Sequence, residues 1–266
     1  MNIREYYQKM SNSNFHASWI SLGLAIIFFI VHVTSLIRGP IILILITSPF
    51  ILFSIVQYII HRIYENRIKE LPHDLYGKNA DLLDAEHILL TFLPAPTLRL
   101  LLFAPDGSLM GEIRDRNMKW FMWMVPNFLS MLLTKRYELV DHEGRLLANY
   151  HIKKGLFNEM SIMDEEGSLI GSYEEKRTLM KIEGMIYKED GTEWMPIHTP
   201  GSLNSFEIAT KNGEKIVSYQ EGWMPFEWGK RFKTNTPILT FSSHVEEIPR
   251  FIIFGFCAAT LNHRSN

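Results

Sequence analysis

Asp84, Glu86 and His87 are the tightest grouping of side chains in this chain that could hold a metal ion or pass a proton. Two carboxylates and an imidazole can serve as oxygen and nitrogen ligands, or as a base with its acid partner. At helical spacing the three do not share one face, so a solvated surface is the favoured reading of them. No H-E-x-x-H, G-x-S-x-G, glycine-rich phosphate loop or paired C-x-x-C accompanies them. The ten histidines are dispersed, and the single cysteine, Cys257, lies in an apolar stretch where a buried thiol stays inert. One cysteine forms no internal disulfide, which suits a reducing compartment. The expectation is a non-enzymatic protein without metal or cofactor.

Binding chemistry is better represented. Cations cluster at Lys135 and Arg136, at Lys153 and Lys154, at Lys176 and Arg177, and at Lys230 and Arg231 with Lys233. Near an anionic leaflet each contributes about 1 kcal/mol. Glu174, Glu175 and Glu227 sit beside several of them and the formal net charge is −2, so solvated hairpin ends compete with a lipid-binding role. Nothing in this balance points to nucleic acid. A second candidate contact is MKWFMWMVPNFLSMLL, residues 118–133, with Trp120, Phe121, Trp123 and Phe128. Trp favours the bilayer interface and Met suits adaptable apolar surfaces. Two readings stand for this stretch: contact with lipid or a partner, or a strand and helix packed on the domain.

These residues must be held by something, and a recurring turn shows what. An acidic or polar residue and a glycine precede an alternating stretch in PDGSLMGEI, DHEGRLLANYHI, DEEGSLIGSYEE, EDGTEWMPI and KNGEKIVSYQ, around Gly107, Gly144, Gly167, Gly191 and Gly213. The last four glycines are 22 to 24 residues apart, the length of two strands and two turns, which reads as serial β-hairpins. The spacing predicts strands at 98–104 with 109–114, 135–141 with 145–151, 157–163 with 168–174, 179–188 with 192–197 and 204–210 with 214–220, and a further pair within 222–244. In YELVD, Tyr137 and Leu139 face one way; in IVSYQ, Val217 and Tyr219 oppose Ile216 and Ser218. So many antiparallel strands close into a barrel to remove their edges. After Pro249, FIIFGFCAATLN is apolar on every face and too short to cross a membrane, which predicts a helix buried inside that barrel.

Ahead of the barrel, residues 19–37 and 40–60 are apolar runs of the length that crosses a hydrocarbon core. Arg38, Gly39 and Pro40 leave room only for a tight turn, so the two form a transmembrane hairpin. The long polar segment before the first run argues against a cleaved signal. Within the spans, His32 and Gln57 are expected to make interhelical or interfacial hydrogen bonds, and Pro49 to kink the second helix. HRIYENRIKEL, residues 61–71, continues that helix out of the bilayer, and ADLLDAEHILLTF is a short apolar-periodic stretch ending before Pro94. The domain plan is a cytoplasmic segment at 1–17, the hairpin at 18–61, a juxtamembrane helix and linker at 62–96, and the barrel at 97–266.

The serial D-x-x-G-x-L turns, Asp141 to Leu146 and Asp164 to Leu169, followed by the apolar terminal helix, resemble the superfamily of tubby C-terminal domains, phospholipid scramblases and LURP-one proteins. The resemblance implies a twelve-stranded barrel threaded by a central hydrophobic helix, and tubby domains bind phosphoinositide head groups through basic residues. The chain differs from scramblases, whose membrane segment is C-terminal, and from tubby, which has no N-terminal span. The resulting expectation is a membrane-anchored sensing or binding module whose barrel engages anionic lipid or a protein partner. A lipid-translocating or small-solute protein, acting as an oligomer through the hairpin, is the alternative.

Arg4, Lys9, Arg62, Arg67, Lys69 and Lys78 flank the open end of the hairpin, against Arg38 alone in its turn. The positive-inside bias places both termini and the barrel in the cytoplasm. Reporters placed before Met1 and after Asn266 should both be shielded from protease added outside intact cells; cleavage of both would reverse the assignment.

Overall fold

The computed structural model describes residues 1–34, 39–72, 81–95, 97–116, 135–153, 158–177, 181–200, 204–243 and 245–261. They fall into two compact units, residues 2–73 and, with Met1, residues 74–266.

The first unit is two antiparallel helices, α1 (Ile3–Val33) and α2 (Pro40–Glu70). Asn2 caps α1, its side chain accepting from the Glu5 N–H at 3.0 Å. Pro40 starts α2 where its missing donor costs nothing, and Pro49 lies within the helix without ending it. The seam is lined by small residues. Ser18 Oγ donates to the Ser54 carbonyl at 2.9 Å, Ser21 Oγ to the Phe50 carbonyl at 2.8 Å, and Ser11 Oγ lies 2.8 Å from His61 Nδ1. Sequence reading singled out His32 and Gln57 and passed over these serines. The large side chains point the other way, with Ile20, Ile30, Leu45 and Leu52 exposed and Ile41 80% so. At the far end the Arg4 guanidinium donates to the carbonyls of Ile68, Leu71 and Pro72, which terminate α2. Both helices are long and apolar enough to cross a membrane.

The second unit is one twelve-stranded antiparallel sheet. In chain order its strands are β1 (His87–Phe92), β2 (Arg99–Phe103), β3 (Leu109–Asp115), β4 (Lys135–Asp141), β5 (Leu146–Lys153) and β6 (Asn158–Met163). They continue with β7 (Leu169–Arg177), β8 (Lys181–Lys188), β9 (Glu193–Pro200), β10 (Ser205–Ala209), β11 (Lys215–Gln220) and β12 (Ile238–Phe241). The order runs β10, β11, β12, β1 and then on to β9, and the two end strands, β9 and β10, lie beside each other. The result is a nearly closed barrel.

Five hairpins share one turn. In each, a carbonyl (Ala104, Asp141, Asp164, Lys188, Thr210) accepts from the N–H of the glycine three residues on, at 2.9 to 3.3 Å. Those glycines have φ between 77° and 90°, and the register shifts by one residue beside every turn. The aspartate of D-x-x-G earns its place by accepting a backbone N–H with its side chain: Arg145 donates to Asp141 Oδ1 and Ser168 to Asp164 Oδ1, both at 2.8 Å. Burial of the Asp141 carboxyl pushes its pKa up, but these N–H groups and the Arg145 guanidinium outweigh it and hold it below the usual carboxylate value.

A short helix, α3 (Phe226–Gly229), precedes β12, and the chain closes on α4 (Glu247–Leu261). All twelve strands contribute to one core around α4. Phe256 meets Tyr173 and Phe206 edge-on, Phe254 meets Phe241, and the Tyr150 hydroxyl donates to the Phe251 carbonyl at 3.0 Å. Gly255 lets the helix backbone approach Tyr150, since a Cβ there would lie 2.7 Å from the ring. At the entrance, Arg250 donates to the carbonyls of Ala85 and Val245 and stacks 4.5 Å from the Phe241 ring centroid.

Two sequence expectations need correction. The barrel does not begin at residue 97, because β1 lies within the stretch assigned to the 62–96 linker and pairs with both β2 and β12. Residues 222–244 hold no hairpin; they hold α3 and β12, and β12 pairs with β11 and β1. Tyr137 and Leu139, and Val217 and Tyr219, do face the core.

Phe254→Asp should leave an unpaired charge among apolar walls, at a cost of several kcal/mol, and prevent the fold. Gly255→Ala should cost about 1–3 kcal/mol, because the buried Tyr150 ring is held by its own hydrogen bond. Urea denaturation followed by circular dichroism tests both; an unchanged midpoint for Phe254→Asp would refute the threaded helix. By the same measurement a chain beginning at residue 97 should fail to fold cooperatively, while one beginning at residue 74 should succeed.

Candidate functional site

Register assigns the connections to two ends of the barrel. The five glycine turns lie at one end, together with the entrance of α4. The other end receives the connections of residues 93–98, 117–134, 154–157, 178–180, 201–204 and 221–237. Nearly all the cations selected from sequence fall at this second end, because they begin or finish the strands that open onto it.

Structure separates them by direction. Lys135 occupies the inward register of Tyr137 and Leu139 and is buried, whereas Arg136 faces outward and is exposed. Arg136 pairs in register with His151, two residues before the exposed Lys153. Arg114 and Arg116, which sequence reading did not select, complete the group: their Nε atoms lie 3.7 Å and 3.4 Å from the two oxygens of Glu138. Arg99 forms a bidentate pair with Glu112 at 2.7 and 3.3 Å. The outer wall of β2 to β5 thus carries Arg99, Arg114, Arg116, Arg136 and Lys153 against Glu112 and Glu138, with His151 among them and Glu159 of β6 in register with Lys153. Burial lowers the His151 pKa first, and the charges of Arg136 and Arg116 lower it further. Arg136 and Arg116 thus add a positive potential at the imidazole to the larger effect of burial.

An acidic hollow lies on the strands that follow. Glu159, Glu174, Glu175 and Glu183 line an open hollow of about 380 Å³ over β6 to β8, with Met185 and Tyr187. Among the described residues no group of three His, Cys, Asp or Glu is placed to hold a metal ion, so Asp84, Glu86 and His87 form no such site. Instead His87 accepts the Trp228 ring at 5.1 Å and lies 3.2 Å from Thr240 Oγ1. Cys257 is fully buried, its thiol pKa pushed up to about 12 by loss of water.

Lys230, Arg231 and Lys233 lie apart from the β2–β5 group, on the excursion between β11 and β12. Lys230 is paired with both oxygens of Glu227 at 2.7 Å and sits over the Phe226 ring at 5.1 Å. Trp120, Phe121, Trp123, Phe128 and Lys154, and the side chains of Lys176 and Arg177, are outside the described residues.

No protein-family model and no curated protein matches the chain. Among solved structures it is similar to the X-ray structure of a protein from Arabidopsis thaliana, with 10% identity and a TM-score of 0.43, covering 71% of this chain and 99% of that one.

Because the folded state resists protonating His151 while the unfolded chain takes a proton near the ordinary imidazole value of 6.5, its contribution to stability is full above that pH. It is lost as pH falls from there toward the lower folded value. Arg136→Ala should raise the His151 pKa in a histidine NMR titration. An unchanged midpoint would show that burial alone sets it.

Proposed function

We propose that this protein is a membrane-anchored, non-enzymatic binding module whose cytoplasmic barrel engages anionic lipid head groups. The observation that carries the reading is the sidedness of the two units. In the hairpin, serines line the seam and isoleucines and leucines cover the outside, the reverse of a water-soluble pair and the arrangement favoured where lipid is the solvent. On the barrel, five permanent cations share the outer wall of β2 to β5 with two carboxylates, Glu112 and Glu138. Such a surface gains from an anionic leaflet, and a span in the same chain supplies a high effective concentration without new contacts.

The resemblance to tubby C-terminal domains points the same way, since those domains bind phosphoinositide head groups through basic residues. A protein partner with an acidic face would meet the same wall. The proposed orientation keeps both termini and the barrel on the cytoplasmic side.

Full-length protein reconstituted in phosphatidylcholine vesicles, with and without phosphatidylserine, tests the reading. Acylation of the exposed Lys153 should slow several-fold when phosphatidylserine is present, and Arg114→Glu with Arg136→Glu should abolish the protection. Equal rates with and without the anionic lipid would sink lipid binding. Lipid flip rates above those of empty vesicles would favour the translocating alternative.

A further inference from the structure

The segment joining β11 to β12, GWMPFEWGKRFK and its flanks, is held firmly against the barrel yet leaves its largest apolar side chains in water. Phe232 is fully buried and meets Phe103 edge-on, with ring centroids 6.0 Å apart. Trp228 rests on His87, and the Pro237 carbonyl accepts from the Leu90 N–H at 2.9 Å. Between these fixed points Trp223 is 62% and Phe226 80% exposed. The other described large apolar side chains exposed on this unit, Leu169 and Ile248, are 44% and 43% exposed and stand singly. Two aromatic rings three residues apart on a pinned element are a different feature.

The chemistry of the neighbours selects an occupant. Lys230 reaches across the Phe226 ring, and Arg231 and Lys233 follow, so the segment carries three cations against the carboxylates of Glu221 and Glu227. An apolar ring beneath a long cation fits the headgroup boundary of a bilayer: the ring enters the upper acyl region while the ammonium stays with the phosphates. Trp beside it has the amphipathic ring that concentrates at this boundary. The same chain carries two helices of membrane-spanning length, so a bilayer is the surface it always has within reach. We infer that Trp223 and Phe226 form an interfacial anchor that inserts into the membrane when the barrel docks, with Lys230 and its neighbours on the lipid phosphates. The inference rests on the proposed lipid-binding role and adds to the β2–β5 wall a second, hydrophobic point of contact.

Cys257 is buried and its thiol is held protonated, so a cysteine introduced at Phe226 is the one accessible labelling site of the full-length protein. In phosphatidylserine-containing vesicles an environment-sensitive fluorophore on Phe226→Cys should shift to the blue and be quenched by lipids carrying a nitroxide near the headgroup. The same label on Asn212→Cys, at the glycine-turn end, should do neither. Trp223→Ser with Phe226→Ser should weaken protection of Lys153 several-fold with an unchanged melting temperature, and restoring the rings as Trp223 with Phe226→Trp should recover it. Protection of Lys153 with an unshifted Phe226 label overturns the anchor and leaves lipid binding standing. Loss of both signals overturns the two together. A blue shift without nitroxide quenching means that a second copy of the protein covers the rings, which also overturns the anchor.

Discussion

A helix that is apolar on every side can be stable in water only if something surrounds it, and α4 imposes that requirement on the whole second unit. Phe254, Phe256 and Ile253 point in different directions and are all fully buried. A single sheet face cannot cover them. The sheet must curl around the helix, and in curling it brings β9 and β10, its two free edges, alongside each other. Details of the lining follow from the close fit. Gly255 allows backbone against the Tyr150 ring, and Gly171 leaves room on β7 for Ile252 of the helix, while rings and aliphatic chains fill most other inward positions. Arg250 closes the entrance by giving its guanidinium hydrogens to backbone carbonyls, which lets a cation sit among apolar groups, with the charge of Asp84 also favouring it.

The two units solve opposite solvent problems with the same inventory of side chains. The barrel hides large apolar groups and shows charge. The hairpin hides serines and shows isoleucine. In lipid, burying Leu against Leu gains little, so close approach of small residues and hydroxyl-to-carbonyl bonds hold helices together. The Ser18–Ser54 and Ser21–Phe50 contacts are of that kind, and they support the proposed membrane placement beyond what length or mean hydropathy does.

Function, in this reading, depends on which end of the barrel carries tight turns and which carries excursions. Five short glycine turns leave little surface for recognition at their end. At the other end, cations line the outer wall from Arg99 to Lys153, and the long β11–β12 segment presents its rings.

Much of this architecture is written locally. Each hairpin needs only an Asx or polar residue, a glycine with positive φ and alternation on either side, all within about ten residues, so β2 to β11 are legible as pairs, as are the apolar helices at either end of the chain. What escaped sequence reading has its partners far away. HILLTF in β1 is a short apolar run without alternation, because Leu89 is covered on the outside as Leu90 is within, and such runs do not distinguish strand from helix. It pairs with β2 on one side, but its place inside the sheet depends on β12 on the other, some 150 residues later. For the same reason Trp223 and Trp228 look alike in sequence, yet one is exposed and the other rests on His87. Arg114 and Arg116 seem unrelated to Arg136 and His151 until β3 and β4 lie side by side. Turn chemistry and helix polarity are properties of neighbouring residues, and the sequence determines them by itself. Strand closure, the direction of each cation and the exposure of each ring depend on contacts across the barrel, and only the tertiary structure decides those.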